Sequence, residues 1–254
     1  MIYFFIIILN IIFIYFLKRK EIKKILYKKK ISEVNVKEIH PIFQPKRSKY
    51  KFPSEKYVTN FFIIPEEFKV IGMTSNLEAW ILCMLSKISK NIFEFGTCSG
   101  KTTYLFALNS SPETKITSIT LKADALISKN KNESESAFRN ISNESIYEEF
   151  MFTGTPYQKK IDVRFINSLE FNETEFTNKC DLIFIDGGHT YSIVKSDTEK
   201  AFKMISKNGY IFWHDYAPGK KSAKDVFNYL NLISRSKKLY SIKDTNLVYS
   251  KMIK

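Results

Sequence analysis

Glycine is scarce in this 254-residue chain, at 8 residues, as are proline at 7 and cysteine at 3. Cys83, Cys98 and Cys180 are odd in number, widely separated and flanked by apolar residues. That spacing offers no disulfide framework and no thiolate metal site, and it fits buried free thiols in a reducing compartment. No internal repeat is visible. No basic residue precedes the apolar start of the chain, and no small-residue cleavage site follows it, which argues against a cleaved leader.

The amino end is hydrophobic and then basic. Residues 1–17 are apolar apart from Asn10, and residues 18–30 carry eight basic side chains against Glu21 alone. The run stands at the short edge of a membrane-spanning helix, and its basic flank places the remainder on the cytoplasmic side. The expected layout is an uncleaved single-pass anchor at 1–17, a basic juxtamembrane linker at 18–60 and a folded domain at 61–254. Charge supports this division. Residues 1–56 hold 14 Lys and Arg against 4 Asp and Glu, leaving 26 against 22 for the rest. Anionic lipid is the natural partner of the basic segment, and no nucleic acid is required. Five Asn-x-Ser/Thr sequons, at Asn109, Asn132, Asn140, Asn143 and Asn172, are what a Lys/Asn-rich chain generates by chance, and a cytoplasmic domain leaves them unmodified.

The few glycines are concentrated where they matter. In NIFEFGTCSGKTTY, residues 91–104, an apolar run reads as a buried strand, Gly96 and Gly100 bracket a turn, and Lys101 opens a helix. Strand, glycine turn and helix in that order offer a ligand both a close backbone and the free N–H groups of a helix start. A dinucleotide site of the G-x-G-x-x-G type has Cys98 where its second glycine belongs. A phosphate-cradling loop has four residues between its glycines before Lys-Ser/Thr, and this one has three.

Along the chain, residues 76–85 have the apolar density of a buried helix, residues 115–121 alternate as a strand, and residues 161–166 give another. Residues 122–147 are polar and read as a surface insertion of low order, placed where it can also fold over the cleft as a lid. DLIFIDGGH, residues 181–189, reads as a central strand of a parallel sheet with its polar residues at the carboxyl end. A helix over 192–206, a strand over 210–213 ending in His214-Asp215, a helix over 222–232 and two short strands near 239–242 and 246–251 complete the pattern. Alternating strands and helices imply a Rossmann-like, doubly wound α/β sheet whose ligand lies beyond the carboxyl ends of the strands. Glu94–Gly100, Thr120, Asn167–Ser168, Asp186–His189 and His214–Asp215 converge there.

FEFGTCSGKTT, TGTPY, DLIFIDGGHTY and NGYIFWHDY together resemble the class I S-adenosylmethionine (SAM) methyltransferases. The nearest branch is methyltransferase family 24, related to sugar and antibiotic O-methyltransferases and to a cephalosporin-hydroxylase group, over roughly residues 70–250. The resemblance implies a mostly parallel seven-stranded sheet behind the hydrophobic N-terminal helix. It also implies SAM as cofactor, held by Glu94, Gly96, Thr97, Gly100, Thr120, Asn167, Ser168 and Asp186. Methyl transfer to a hydroxyl of a small molecule or saccharide then needs a base or a metal, which gives catalytic candidates His189, Asp186 and His214 and a Mg or Mn set of Asp186, Asp215 and His214. Two positions depart from the pattern, Thr120 for the ribose-binding acid and Asn167 for an Asp near the adenine. They keep open a degenerate, membrane-tethered binding module, beside a hydroxylase-type relative and, because of Gly100-Lys101-Thr102, a nucleotide hydrolase.

Overall fold

Eight strands form one sheet: β1 (Ser32–Val34), β2 (Asn91–Phe95), β3 (Lys115–Thr120), β4 (Ile161–Phe165), β5 (Cys180–Ile185), β6 (Ile205–Trp213), β7 (Tyr240–Ile242) and β8 (Val248–Lys251). Their order is β1-β7-β8-β6-β5-β2-β3-β4. Neighbours are parallel except at β8, which runs against β6 and β7. This computed structural model describes residues 28–44, 74–122 and 135–253, with positions 7, 8, 10, 13–15, 59, 60, 62 and 125.

Five α-helices are described: α1 (Asn76–Ser86), α2 (Lys101–Asn109), α3 (Glu135–Glu144), α4 (Tyr191–Met204) and α5 (Lys224–Ile233). Side chains of a strand alternate between faces, and here both faces are covered, which explains why the central strands are apolar throughout. Ile92, Leu182, Phe184 and Phe212 pack against Ile81 and Leu85 of α1 and Phe106 of α2. Phe93, Phe95, Ile183, Ile185 and Trp213 pack against Val194 and Ala201 of α4 and Val226 and Leu230 of α5. The chain leaves β2 toward β3 and β4 on one side and returns to β5 and β6 on the other, so a crevice opens above the β2–β5 boundary.

The sheet has eight strands where seven are expected from the sequence. The additional one, β1, comes from the segment read as linker, and pairs in parallel with β7 at the sheet edge. Ile31, Ile39 and Phe43 are buried with it, and the Tyr210 hydroxyl donates to the Ile39 carbonyl at 3.1 Å. Part of 18–60 therefore belongs to the folded body. The insertion is likewise more ordered than its polarity suggests. Residues 135–144 form α3, which buries Ala137 and Ile141 on one face at the helical spacing of four.

The anchor expected at 1–17 lies mostly outside the described residues, of which Ile7, Ile8, Asn10 and 13–15 are helical. Among the described residues no helix is long and apolar enough to cross a membrane.

Candidate functional site

The turn after β2 brings two strand ends together. Gly96 has φ +101°, and a Cβ built there would stand 2.3 Å from the Asp186 carbonyl oxygen and 2.7 Å from the Gly187 Cα. The approach is fixed by the ladder, since the Asp186 amide donates to the Phe95 carbonyl at 2.9 Å and the Gly96 amide to the Ile119 carbonyl at 2.9 Å. One step along the sheet, the His214 amide donates to the Ile185 carbonyl at 3.0 Å. The ends of β2, β3, β5 and β6 are thus held at one level.

Two cavities open at that level. The first, about 520 Å³, is walled by Phe95, Ile119, Ile166 and Ile193, with Gly96, Thr120, Asn167, Ser168 and Asp186 among its polar or backbone lining. The second, about 720 Å³, holds Thr97, Lys101, Asp186, His189, His214, Asp215 and Lys220. Gly96, Cys98, Glu144 and Asp186 border both, so the two spaces meet there. Most of the expected cofactor residues therefore line the first cavity, while Thr97 faces the second. Gly100 lines neither and packs against Phe150 and Phe152.

Glu94 is turned away from both cavities. It is 1% exposed and accepts hydrogen bonds from the Thr103 hydroxyl of α2 and, at 2.7 Å, the Ser118 hydroxyl of β3. Ser118 is joined to the Thr97 hydroxyl at 2.7 Å. The acid expected at the cofactor instead ties the turn to the helix behind it. Burial lifts its pKa to about 8, against the pull of both hydroxyls. An unfolded glutamate titrates near 4.5, so between that value and about 8 only the folded state keeps the proton. Stability from this group is full below 4.5 and is lost as the pH rises through about 8. Glu94→Gln stays neutral throughout, so urea midpoints at about pH 5.5 and about pH 8.5 are expected to lie closer together in the variant than in the parent. Identical pH dependence in both would count against the account.

The second cavity is a chain of charge pairs. His214 lies between two acids, its Nδ1 2.9 Å from Asp186 Oδ1 and its Nε2 3.4 Å from Glu78 Oε2. Burial opposes the imidazolium, yet the Asp186 charge and the bonds to Asp186 and Glu78 hold its pKa well above 6.5. Glu78, disfavoured as an anion by its burial, is nonetheless pulled down to about 2 by His214 and by backbone amides. It owes its position to the start of α1, where it forms a reciprocal cap with Ser75. Its other oxygen accepts the Asn246 amide at 2.7 Å. His189 Nε2 stands 3.0 Å from Asp215 Oδ2, and the Lys220 ammonium 2.7 Å from Asp215 Oδ1. Burial works against charge at both partners, but the pair raises His189 and takes Asp215 well below the carboxylate range.

These pairs revise two expectations. His214 has both ring nitrogens engaged and carries its proton, so it offers neither a base nor a metal lone pair. The possible metal cluster among the described residues is Asp186, His189 and Asp215, with ligand atoms within 4.8 Å of one another. Two carboxylates and an imidazole suit a borderline ion such as Mn2+. However, Lys220 and His189 already hold the Asp215 oxygens, and His214 holds an Asp186 oxygen. An entering cation would share these oxygens with the Lys220 ammonium and with His214, a repulsive arrangement, although the buried His189 Nδ1 has no hydrogen-bond partner among the described residues and is open to a ligand role.

Glu78, Glu144, Asp197 and Lys220 were missed in the sequence. Glu78 could have been found from Ser-x-x-Glu, read as a cap; the others sit among charges that look like ordinary surface. Lys101, the phosphate-binding candidate, is buried and donates to the Thr74 carbonyl at 3.1 Å.

Comparison with known proteins agrees with this geometry. Residues 93–216 match the family model described as a methyltransferase domain, family 24. No curated protein sequence matches the chain. Among solved structures, the SAM complex of the O-methyltransferase TomG of Streptomyces achromogenes is 11% identical, with TM-score 0.51, over 74% of this chain and 86% of that one. An O-methyltransferase from Bacillus cereus, solved with SAH, is 16% identical at TM-score 0.50, over 74% and 86%. An SAH-bound methyltransferase from Podospora anserina is 14% identical at TM-score 0.52, over 75% and 82%. At these identities the likeness establishes a shared fold.

Proposed function

For a chain whose residues 93–216 are a class I SAM-dependent methyltransferase domain of family 24, we propose transfer of the methyl group to a hydroxyl oxygen of a small molecule or saccharide. The observation that carries this reading is the junction of two cavities at Gly96, Cys98, Glu144 and Asp186. SAM in the first cavity supplies an electrophilic methyl on sulfonium, which must be presented where the second cavity begins. The acceptor then occupies the second cavity, with its hydroxyl at the junction.

The chain's residues divide the remaining work. Thr120, at the end of β3, offers the ribose a hydroxyl in place of an acid. Asp186, steadied by His214, keeps a negative charge beside the sulfonium. Lys220 and His189 hold Asp215, and the Lys220 ammonium lends positive charge where the acceptor oxygen gains negative charge as its proton leaves. The proton of the acceptor goes to Glu144, which reaches the junction from α3 and faces His189, Asp186, Asp215 and Lys220. Burial raises its pKa to about 7, which suits a base working near neutrality. The histidines, His189 bonded to Asp215 and His214 held between Asp186 and Glu78, are positioning residues in this scheme.

The test is calorimetric titration of SAM into the full chain, with and without EDTA, and with Mn2+ added. Micromolar binding that ignores chelator and metal is the expected result. Failure to bind under any of these conditions would remove the enzyme reading in favour of a binding module, the alternative that Thr120 and Asn167 raise. Binding that requires Mn2+ would restore the metal at Asp186, His189 and Asp215.

A further inference from the structure

The end of the sheet away from the crevice is edged with lysine. Lys90 precedes β2, Lys115 begins β3, Lys159 comes just before β4, Lys179 precedes β5, Lys207 lies early in β6 and Lys238 comes just before β7. All six are exposed. Ile92, Ile116, Ile161, Leu182, Tyr210 and Lys251 stand level across the sheet, and the lysines lie at or beyond that line on the side away from the crevice. The acids at this end are engaged elsewhere. Asp181 accepts the Lys90 and Asn91 amides and the Ser206 hydroxyl, Asp162 and Glu175 hold Arg164, and Glu173 holds Lys203. Glu113, bonded to the Ser111 hydroxyl, is also here. Among the described residues none of the six ammonium groups is in an ion pair. A groove of about 940 Å³ opens between the starts of β2, β3, β4 and β5, with Lys115, Lys159 and Lys179 in its lining.

Two features say what this edge meets. The first is its extent. Neighbouring strands stand about 4.8 Å apart, so charges carried from β4 to β7 are spread over roughly 30 Å. A field that wide, without a central charge-binding pocket, fits a flat array of phosphates. The second is the direction of β1. It is parallel to β7, and β7 to β6 through the antiparallel β8, so β1 enters the sheet from the lysine-edged end. In sequence it is preceded by the basic residues 18–30 and the apolar residues 1–17. We propose that the lysine edge docks on the anionic surface of a lipid bilayer and turns the crevice toward water. Attraction of this kind fades within a Debye length, about 8 Å at physiological salt, so only the edge in contact contributes. An acceptor would then reach the crevice from solution rather than from within the bilayer.

Acetylation of lysine amines in the full chain, read residue by residue by mass spectrometry, tests this. The chain is labelled on vesicles of phosphatidylcholine alone and of phosphatidylcholine mixed with phosphatidylserine. On the mixed vesicles the six lysines should react roughly threefold or more slowly. Lys122, Lys224 and Lys243, exposed at the crevice end, should keep their rates. Salt at about 1 M, where the Debye length is about 3 Å, should abolish the difference. Lys115→Glu, Lys159→Glu and Lys179→Glu together should release Lys90, Lys207 and Lys238 from protection, with little change in melting temperature because all three positions are exposed. If the triple variant melts early, the salt series on wild type decides. Equal rates on the two kinds of vesicle overturn the proposal, as does protection that extends to the crevice-end lysines or survives in a folded triple variant. Protection by single-stranded RNA, with none from the mixed vesicles, would assign the edge to nucleic acid and overturn it as well.

Discussion

Replacing Gly96 with alanine is expected to lower stability by roughly 3–6 kcal/mol and to abolish SAM binding. Two effects act together. The backbone at φ +101° is one that L side chains rarely adopt, and the new methyl would meet the Asp186 carbonyl oxygen at 2.3 Å. Nothing flexible stands in that place. To admit the methyl, the end of β5 must leave β2, which breaks the Asp186-to-Phe95 hydrogen bond and displaces Gly187 from the wall of the first cavity. Gly154 is the control. It has φ +75° but nothing within 4 Å of a built Cβ, so Gly154→Ala should show the backbone term alone, about 1 kcal/mol. Urea unfolding of both variants separates the contributions. Similar midpoints for the two would show that the close approach at Gly96 is not what matters.

His214→Ala is the second large effect, expected at about 3–5 kcal/mol near pH 6 because it strands two acids that a single cation had neutralised. Glu78 suffers most, being 3% exposed at its side chain against 16% for Asp186. The pH dependence follows from the two partners. His214 is raised well above 6.5, so its contribution is full below 6.5 and is lost as the pH rises through its folded pKa. Glu78 is lowered from 4.5 to about 2, so its contribution is full above 4.5 and is lost as the pH falls through about 2. The difference between parent and variant should therefore be widest between about pH 4.5 and 6.5 and shrink toward about pH 2. Adding Glu78→Gln to the variant should recover part of the loss, since one stranded charge disappears. A difference that stays constant from about pH 6 down to about pH 2, or no recovery in the double variant, would mean that His214 acts by packing alone.

The turn, the helix start and the DGGH segment were legible because each couples an apolar run to residues with narrow backbone preferences. The strand expected at 161–166 is Ile161–Phe165, and the helix expected at 76–85 is Asn76–Ser86. The helix expected at 192–206 stops at Met204, and β6 begins at Ile205 rather than near 210, with a register shift against β5 after Cys180. A bulge of that kind leaves no signature in hydrophobic periodicity. β1 was illegible for a plainer reason. Ser-Glu-Val is three residues with an acid at its centre, and its strand character comes from β7.

At the site, residue type was readable and direction was not. Glu94 alternates with Phe93 and Phe95, which places it on the α2 face of β2, but alternation alone does not say that Thr103 and Ser118 await it there. His189 and His214 read as equivalent loop histidines. Only the fold pairs one with Asp215 and wedges the other between Asp186 and Glu78. Asp197 sits one position before Thr198-Glu199-Lys200 and has the look of solvated helix charge until its burial is known.

The pairing of β1 with β7 also sets an order of events during synthesis. The Lys30 amide donates to Asn231, 201 residues further along, and the register of β1 runs to Tyr240 and beyond. β1, the earliest strand among the described residues, is thus completed only after nearly all of the residues that follow it have emerged. Until then β7 has no neighbour on that side, and Ile31, Ile39 and Phe43 have no interior to enter. A loop of that length closes slowly, because its entropy is lost before the contact is gained. Nascent chains stalled before β8 should hold this amino-terminal arm open to protease, and it should become resistant only once Lys251 has cleared the exit tunnel, because β7 reaches the sheet through β8.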